Sequence, residues 1–226
     1  MKKLLPVIHI ESPEQTLRNT SIAKEAGCEG VFLIDHMGDH VYLMDTYIVV
    51  RQQFPDMWVG INDLGRRNQD VFYDLQDWSS VNGLWIDNLG VDEDDESQED
   101  LIAMLGVLDS KWSIMDGGLV FGGVAFKYQK PVRDVAKAAR IAKDYCDVVT
   151  TSGEGTGSAP TLEKIRTMKE AIGDKPLAIA SGISVENVGQ FLEFTDYFLV
   201  ATGISKTFNE LDPEKTKQLL DLIKSH

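Results

Sequence analysis

Short apolar runs alternate along the chain with longer segments in which apolar residues recur at helical spacing. Eight such runs occur, each almost continuously apolar, as expected for strands buried on both faces of a parallel sheet. They cover residues 4–10, 30–36, 57–63, 82–88, 118–126, 147–153, 176–182 and 197–205. Successive runs lie roughly 25–28 residues apart on average, which is the length of one strand–helix unit with short loops.

The segments between the runs carry helix start and stop signals. Ser12, which directly precedes a proline, predicts the start of a first helix, and Gly27 predicts its end. Residues 162–172 place their apolar side chains on one helical face. Asp212, also followed by a proline, predicts the start of a last helix.

Eight strand–helix units in 226 residues predict one closed (βα)8 barrel. This is a TIM barrel of the α/β class with a parallel eight-stranded core, and an open doubly wound sheet usually has fewer strands. No segment rich in Pro, Gly or Ser divides the chain, so we expect residues 1–226 to form a single domain. We interpret the acidic segment 90–100 as a solvated loop with a first helical turn, and the alternative is a calcium or partner site.

The negative net charge of the chain argues against some classes of binding partner. The sequence holds 22 Lys and Arg residues against 36 Asp and Glu residues, which gives a formal net charge of −14. Nucleic acids and anionic membranes are bound by clustered basic residues, so the acidic excess argues against both as partners. The negative charge does not exclude a phosphorylated metabolite as a ligand, because backbone N–H groups can hold a phosphate inside an acidic protein.

Cysteine usage and hydropathy indicate the compartment. Cys28 and Cys146 lie among apolar residues, which is typical of a reducing compartment without a disulfide framework. The first apolar run is short and is interrupted by Pro6 and His9, so we expect no signal peptide. No run reaches the roughly 18 apolar residues that a membrane span needs. Together these features predict a cytoplasmic protein.

Polar residues follow nearly every predicted strand. In a TIM barrel the active site lies at the carboxyl ends of the strands, whereas the interior is packed with apolar side chains. Asp35, Asp63 and Asp87 are candidate catalytic acids or bases, because two carboxylates in one site raise the pKa of one of them. Lys127 is a further catalytic candidate, as a charge clamp or a Schiff-base lysine, and the alternative is a surface ion pair. Candidates for binding the rest of the substrate are His9, Asn62 and Asn88.

The last two predicted strands end in nearly the same motif, ASGIS at 180–184 and ATGIS at 201–205. Glycine permits close backbone approach, and hydroxyl groups add hydrogen-bond donors. In many TIM barrels these two loops form a phosphate site. We therefore predict a phosphate site, with tight turns as the alternative. Its candidate residues are Ser181, Gly182, Thr202, Gly203, Ile204 and Ser205.

The glycine-rich segment 150–160 follows the sixth predicted strand. Such a loop is either a mobile lid or a second backbone cradle for an anionic or sugar group. Glu154 is a candidate acid or base within it, and a solvated loop carboxylate is the alternative. The candidates for substrate binding in this loop are Ser152, Gly153, Thr156 and Gly157.

The sequence DHMGDH at 35–40 brings several types of metal ligand together. His36 ends a predicted strand and His40 begins a helix, so the two do not share the helical face of a zincin motif. His9 and Glu11 could add ligands for Mg²⁺ or Zn²⁺, and hydrogen-bonded histidines at the barrel rim are the alternative. We assign no metal ligand, and the sequence implies no cofactor.

Four features of residues 122–206 occur together. They are a lysine after the fifth strand (Lys127), a G-x-x-T-G loop that begins at Gly153, an S-G-x-[ST]-x-E-N motif over 181–187, and a hydroxyl–glycine turn before Lys206. On these features the chain resembles the BtpA/SgcQ family of the phosphate-binding TIM-barrel group. The first half keeps His9 but lacks the family's glycine–proline loop after it. The resemblance implies a nucleosidase or phosphosugar-type enzyme, or a role in photosystem I biogenesis as for the cyanobacterial member.

We therefore predict a cytoplasmic TIM-barrel enzyme that acts on a small phosphorylated sugar or a nucleoside- or nucleotide-like metabolite, as an isomerase, lyase or nucleosidase. The acids at the mouth predict that the rest of the ligand is rich in hydroxyls, cationic or metal-bridged. The alternative, which follows from the resemblance, is a non-catalytic assembly factor with an apolar or homo-oligomeric face on its outer helices. The aromatic residues considered for that face are Tyr42, Tyr47, Phe72, Tyr73 and Trp78.

Overall fold

Eight parallel strands form a closed barrel in the order of the sequence. This computed structural model describes residues 2–68, 70–71, 81–103 and 118–226. The strands are β1 (Lys3–His9), β2 (Gly30–Asp35), β3 (Trp58–Asp63), β4 (Gly83–Ile86), β5 (Leu119–Gly123), β6 (Val148–Thr151), β7 (Leu177–Ile179) and β8 (Tyr197–Val200). Pairing of β1 with both β2 and β8 closes the ring. The α/β TIM barrel predicted from the apolar runs is confirmed.

Helices connect the strands and pack around the barrel. They include α1 (Pro13–Ala26), α2 (His40–Gln53), α3 (Val135–Ala142), α4 (Leu162–Ile172) and α5 (Pro213–Lys224). The first begins where the sequence predicts, because Ser12 Oγ accepts a hydrogen bond from the Gln15 N–H at 3.1 Å, and it ends at Gly27. Asp212 caps α5 in the same way.

Alternate side chains along each strand belong to two different layers. Phe32, Trp85 and Phe121 fill the barrel interior, and the ring of Phe32 meets the other two edge to face, with centroids 5.1–5.7 Å apart. The neighbouring Leu33 and Leu84 pack between the barrel and the helices instead. This alternation runs to the carboxyl ends of β1 to β4 and decides which of their last side chains face the mouth of the barrel.

Several strands end earlier than the apolar runs predict. The strand β5 ends at Gly123 rather than at residue 126, and β8 ends at Val200 rather than at residue 205. After β5 the chain adopts a left-handed backbone at Ala125, with φ 48°, and at Tyr128, with φ 62°. Such a conformation costs about 1–3 kcal/mol per non-glycine residue and persists only where neighbouring contacts hold it. Lys127 therefore lies in a strained loop and not at a strand end.

A short antiparallel hairpin that the apolar pattern does not predict follows β8. A 3-10 turn over Thr202–Ile204 leads into β9 (Ser205–Thr207), which pairs with β10 (Glu210–Leu211) before α5 begins. The hairpin lies beyond the carboxyl end of β8, on the same side of the barrel as the predicted active site.

Both cysteines are free and buried, as the sequence predicts. Burial raises the pKa of the Cys28 and Cys146 thiols to about 12, so both are protonated and unreactive at neutral pH. Among the helices of the described residues, none is long and apolar enough to cross a membrane.

Candidate active site

Polar side chains from four neighbouring strands face the barrel axis at its carboxyl end. The interior layer of apolar side chains continues, two residues at a time, to His9 at the end of β1, His36 after β2, Asn62 in β3 and Asp87 after β4. The charge of Lys127 acts on His9, His36 and Asp87, so the lysine belongs to the same group. We call these five residues the mouth cluster.

Asp87 is the carboxyl of the mouth cluster. Burial raises its pKa, and the opposing effects of the Asn62 hydrogen bond and of the Lys127 and His36 charges are smaller. Asn62 Nδ2 donates to Asp87 Oδ1 at 2.9 Å, which fixes the orientation of the carboxyl. A positioned carboxyl whose pKa is raised toward neutrality suits a proton donor or acceptor.

His9 and His36 form a contact pair. His9 Nδ1 lies 2.5 Å from His36 Nε2, and the rings stack with centroids 4.8 Å apart. Burial lowers the pKa of His9 to about 4 and also lowers the pKa of His36. Both imidazoles are therefore neutral at pH 7, and one ring nitrogen donates to the other.

The lowered pKa of His9 predicts a pH dependence of stability. Between pH 6.5 and about 4 the unfolded chain binds a proton at His9 that the folded chain does not, so the free energy of unfolding should fall as the pH falls through this window. We expect His9→Gln to lose less stability than the wild type between pH 7 and pH 4.5, as measured by urea denaturation. The exposed terminal histidine provides the control His226→Gln, which should follow the wild type. Parallel curves for His9→Gln and the wild type would contradict the assignment.

Lys127 presents its ammonium group to the mouth without a carboxylate partner. Its backbone N–H donates to the buried Ser152 Oγ at 2.8 Å, and its Nζ lies 5.4 Å from the centroid of the Phe126 ring. In the described part of the chain no carboxylate forms an ion pair with this lysine, whereas Lys130 of the same loop pairs with Asp92. The positive charge is therefore available to an anionic ligand.

Lys164 is a functional candidate that the sequence reasoning missed. From α4, its half-buried side chain donates through Nζ to the carbonyl oxygens of Ala125 at 2.5 Å and Ser152 at 2.7 Å. Burial lowers its pKa to about 8. The residue ties the loops after β5 and β6 together and supports the strained segment that carries Lys127. Nothing in its helical position distinguishes it from an exposed lysine, so no local sequence pattern predicts this role.

The other two predicted catalytic acids do not join Asp87. Asp35 Oδ1 and Oδ2 accept hydrogen bonds from the backbone N–H groups of Met37 and Asp39, at 3.2 and 2.8 Å. Asp63 Oδ2 lies 2.8 Å from Nδ1 of His40, the first residue of α2. Both acids stand one residue out of phase with the mouth cluster, so their side chains point toward the helices.

A cavity of about 150 Å³ opens between the ends of β3 and β4, and Asn62, Asp63, Trp85 and Asp87 are among its lining residues. Two buried atoms of these residues, Asp63 Oδ1 and Trp85 Nε1, have no hydrogen-bond partner within the described ranges. A buried polar atom without a partner costs about 1–3 kcal/mol. A ligand hydroxyl or a water in this cavity would relieve that cost.

Glycines bring the loops of the last three strands into direct backbone contact. We call residues 152–160 loop 6, residues 180–187 loop 7 and residues 201–204 loop 8. A Cβ on Gly182, whose φ is 67°, would lie 2.0 Å from the backbone nitrogen of Ala159. A Cβ on Gly203 would lie 1.9 Å from the carbonyl oxygen of Ile183. The close approach that these glycines permit is therefore between the loops themselves.

Two hydroxyls predicted to bind phosphate also make bonds within this region. Ser181 Oγ donates to the Gly155 carbonyl oxygen and accepts from the Gly157 N–H, both at 3.1 Å, so it joins loop 7 to loop 6. Ser205 Oγ donates to the Ala201 carbonyl oxygen at 2.8 Å. These hydroxyls stabilise the loops. Because each already donates its proton to a carbonyl oxygen, each can only accept a hydrogen bond from a ligand.

Loops 7 and 8 contain backbone N–H groups that donate to no acceptor among the described residues. Within the described ranges, the N–H groups of Gly182, Ile183, Thr202 and Gly203 have no hydrogen-bond acceptor. Asn187 holds loop 7 in this form, because its side chain donates to the Gly182 carbonyl oxygen at 2.7 Å. The loops thus present a group of unsatisfied donors, which is the chemistry that holds phosphate in proteins.

Loop 6 makes its own contacts. The Thr156 N–H donates to Tyr128 Oη at 3.2 Å, which links this loop to the loop after β5. A Cβ on Gly153 would lie 2.2 Å from the carbonyl oxygen of Ser158, so this glycine makes a tight turn. Glu154 is exposed, in line with a solvated loop carboxylate.

The side chains of segment 35–40 that could bind a metal do not converge on one point. Asp39 caps α2, His40 binds Asp63, and His36 contacts His9. Over the described residues, no group of three or more His, Cys, Asp or Glu side chains is arranged to hold a metal ion.

The segment after β4 makes more hydrogen bonds to the rest of the protein than a solvated loop would. Asn88 is exposed, and its Oδ1 accepts from the Gly90 N–H at 3.0 Å, which closes a turn. Within the acidic segment 90–100, the buried Glu93 accepts from the Arg133 N–H at 2.8 Å. The acidic segment is therefore attached to the loop before α3.

Comparison with known proteins places this site in a family. The sequence model of the BtpA family matches residues 105–225, which is more than half of the chain. The chain belongs to the BtpA family. The match includes Lys127 and loops 6 to 8, so the resemblance stated from these motifs is confirmed.

Curated relatives of this BtpA-family chain match it over a limited region. An uncharacterized protein of Pyrococcus horikoshii is 31% identical over 88 residues, 38% of this chain and 34% of the relative. The Photosystem I biogenesis protein BtpA of Synechocystis sp. is 26% identical over 109 residues, 45% of this chain and 38% of the relative. The matched region thus spans little more than a third of the length of these relatives.

Solved structures resemble the BtpA-family barrel over nearly its whole length. Phosphoribosyl anthranilate isomerase from Thermus thermophilus superposes with a TM-score of 0.65 at 13% identity, covering 99% of this chain and 98% of the isomerase. (S)-3-O-geranylgeranylglyceryl phosphate synthase from Thermoplasma acidophilum, in complex with sn-glycerol-1-phosphate, gives a TM-score of 0.69 at 16% identity, covering 100% and 94%. At these identities the likeness concerns the fold.

Proposed function

We propose that this BtpA-family barrel is an enzyme that acts on a small phosphorylated sugar or a nucleoside- or nucleotide-like metabolite. One observation carries the proposal: the unpaired N–H groups of loops 7 and 8 stand at the same end of the barrel as the titratable mouth cluster. The names of the structural neighbours add support, since one is named for a phosphoribosyl compound and the other holds sn-glycerol-1-phosphate.

The barrel geometry gives the direction in which a ligand would extend. In a ring of eight strands, β3 lies opposite β7 and β4 lies opposite β8. A phosphate on the N–H groups of Gly182 and Gly203 therefore leaves the sugar to extend toward Asn62 and Asp87. The cavity between β3 and β4 would then receive sugar hydroxyls, and the unpartnered Trp85 Nε1 would donate to one of them.

The proposed chemistry is a proton transfer by Asp87 on a ligand that Lys127 orients. A carboxyl with a raised pKa can hold the proton needed for an isomerase, lyase or nucleosidase step. The Lys127 ammonium group would neutralise negative charge on the bound ligand. Asp35 and Asp63 act as positioning groups in this proposal, because their carboxylates bind loop backbone and His40.

The compartment and assembly state belong to the same proposal. Two buried free thiols support a reducing compartment, and we propose the cytoplasm. A homo-oligomer is left open, and neither a metal nor a cofactor is part of the proposal.

Binding of ribose 5-phosphate tests the proposed function. We expect this ligand to raise the melting temperature of the wild type, since a ligand at 100 times its Kd adds about 2.7 kcal/mol to stability. Lys127→Met should lose most of the shift, because its ammonium group is the unpaired cation of the mouth cluster. Lys130→Met, in the same loop but paired with Asp92, is the matched control and should keep it.

The position of the phosphate is tested separately. In ¹⁵N-labelled protein, ribose 5-phosphate and inorganic phosphate should both shift the amide signals of Gly182 and Gly203, and Gly189 should stay unchanged. Absence of a thermal shift with phosphosugars, together with unmoved Gly182 and Gly203 signals, would refute the proposal.

The alternative of an assembly factor gains no support from the described residues. Tyr47 is buried, and the Tyr42 hydroxyl donates to the Glu11 carbonyl oxygen at 3.2 Å. Phe72, Tyr73 and Trp78 lie outside the described residues. Of the seven exposed large apolar side chains among the described residues, four lie in loops at the mouth and three lie on three different helices.

A further inference from the structure

The hairpin of β9 and β10 carries an exposed aromatic ring to the mouth. Phe208 lies at its tip, is 54% exposed, and stacks on His9 with ring centroids 4.2 Å apart and planes 25° apart. His9 in turn stacks on His36. We call Phe208, His9 and His36 the ring stack. Two of its rings belong to the mouth cluster, so the stack is continuous with the proposed catalytic site.

Buried polar side chains of α1 hold the backbone next to this ring. The carbonyl oxygen of Asn209, the residue after Phe208, accepts from Gln15 Nε2 at 2.5 Å and from Asn19 Nδ2 at 2.6 Å. Gln15 is 2% and Asn19 1% exposed. Two buried amides thus hold one carbonyl group next to an exposed ring. A ring held in place in this way loses little conformational entropy when a ligand stacks on it.

Exposed apolar side chains border the ring stack, and the charges of Asp35, Lys127 and Asp87 lie close enough to act on His36. Both imidazoles are neutral at pH 7, because burial lowers their pKa values. Next to His36, Met37 is 86% exposed, and Leu64 of the adjoining loop is 39% exposed. Backbone contact between Gly38 and Gly65 joins these two loops. An exposed, partly apolar surface with neutral rings therefore borders the charged mouth.

Resting on the proposed function, we propose that the exposed face of Phe208 binds an uncharged planar ring carried by the phosphosugar. The substrate class is then a phosphosugar with a planar substituent, rather than a bare sugar phosphate. The phosphate would lie on loops 7 and 8 and the sugar over the mouth cluster, while the substituent would stack on Phe208. Aromatic stacking prefers such an exposed, fixed π face.

Two ligands that differ at C1 of the sugar, where a phenyl ring replaces the anomeric hydroxyl group, test the inference. Isothermal titration calorimetry compares ribose 5-phosphate with a phenyl C-riboside 5-phosphate, which has no glycosidic oxygen to cleave. We expect the wild type to bind the phenyl compound about tenfold more tightly, a typical gain for one aromatic stack. Phe208→Ala should lose this difference and keep its affinity for ribose 5-phosphate, and Phe208→Trp should retain the difference. Leu222→Ala, which removes an exposed apolar side chain from α5, is the control and should match the wild type.

The possible failures can be told apart. Equal affinity of the wild type for both ligands, or equal loss of both in Phe208→Ala, would overturn the inference and leave the proposed function standing. Failure of the wild type to bind either ligand would overturn the proposed function and the inference with it.

Discussion

Asp87→Asn is expected to lower the turnover of a phosphosugar substrate about 10²–10⁴-fold, the range for loss of a general acid or base. Asp87 is the strand-end carboxyl whose side chain points to the barrel axis, and burial raises its pKa. The amide has nearly the same shape and can still accept from Asn62 Nδ2, so the fold and the binding of ribose 5-phosphate should persist. Steady-state kinetics with the substrate found by binding, together with thermal melting, would measure both quantities.

Asp63→Asn is the comparison that decides between the predicted acids. Its carboxylate contacts His40 and points to the helices, so this change should lower stability and leave most of the turnover. In the wild type, kcat should also show a pH limb from a carboxyl of raised pKa, and Asp87→Asn should lack that limb. Turnover that survives in Asp87→Asn but is lost in Asp63→Asn would reverse the assignment.

Gly182→Ala should destabilise the fold by about 3–5 kcal/mol, because two costs add. A side chain is strained at φ 67°, and its Cβ would lie 2.0 Å from the backbone nitrogen of Ala159, which cannot move without shifting loop 6. Since the same displacement moves the free N–H groups of loop 7, the binding of inorganic phosphate should be lost as well. Urea denaturation and phosphate titration measure the two effects.

Gly189→Ala is the matched control for this change. Gly189 lies in a 3-10 turn close behind loop 7, and a Cβ there meets nothing within 4 Å. We expect its stability to stay within about 1 kcal/mol of the wild type. If Gly182→Ala were as stable as this control and still bound phosphate, the backbone contact between loops 6 and 7 would be required neither for stability nor for phosphate binding.

The sequence predicts the barrel well because each strand corresponds to a local pattern of apolar residues. Nearly continuous apolar runs such as 30–36 reflect burial on both faces, and residues such as Ser12 and Asp212 mark helix starts through local bonds. These features depend on neighbours in sequence. Tertiary context changes where strands end, as at Gly123, and adds the hairpin of β9 and β10.

The composition of the mouth is only partly predictable. Alternation along β2 separates Asp35 from His36, and the same rule separates Asp63 from Asn62, so part of the signal lies in the sequence. The role of Lys164 depends on which carbonyls meet it after folding, and no local pattern contains that information. The position of Phe208 likewise depends on amides of a distant helix.

The interlocked backbones of loops 6, 7 and 8 also have a consequence for protein engineering. Because the Gly182 and Gly203 contacts leave no room for a methyl group, an insertion in any one of these loops would disturb the other two. In the described part of the first half, the contacts of His9 with His36 and of Asn62 with Asp87 are made by side chains, which can be exchanged one at a time. New specificities should therefore be selected from libraries in the first half of the barrel, with the second half kept as an unchanged scaffold.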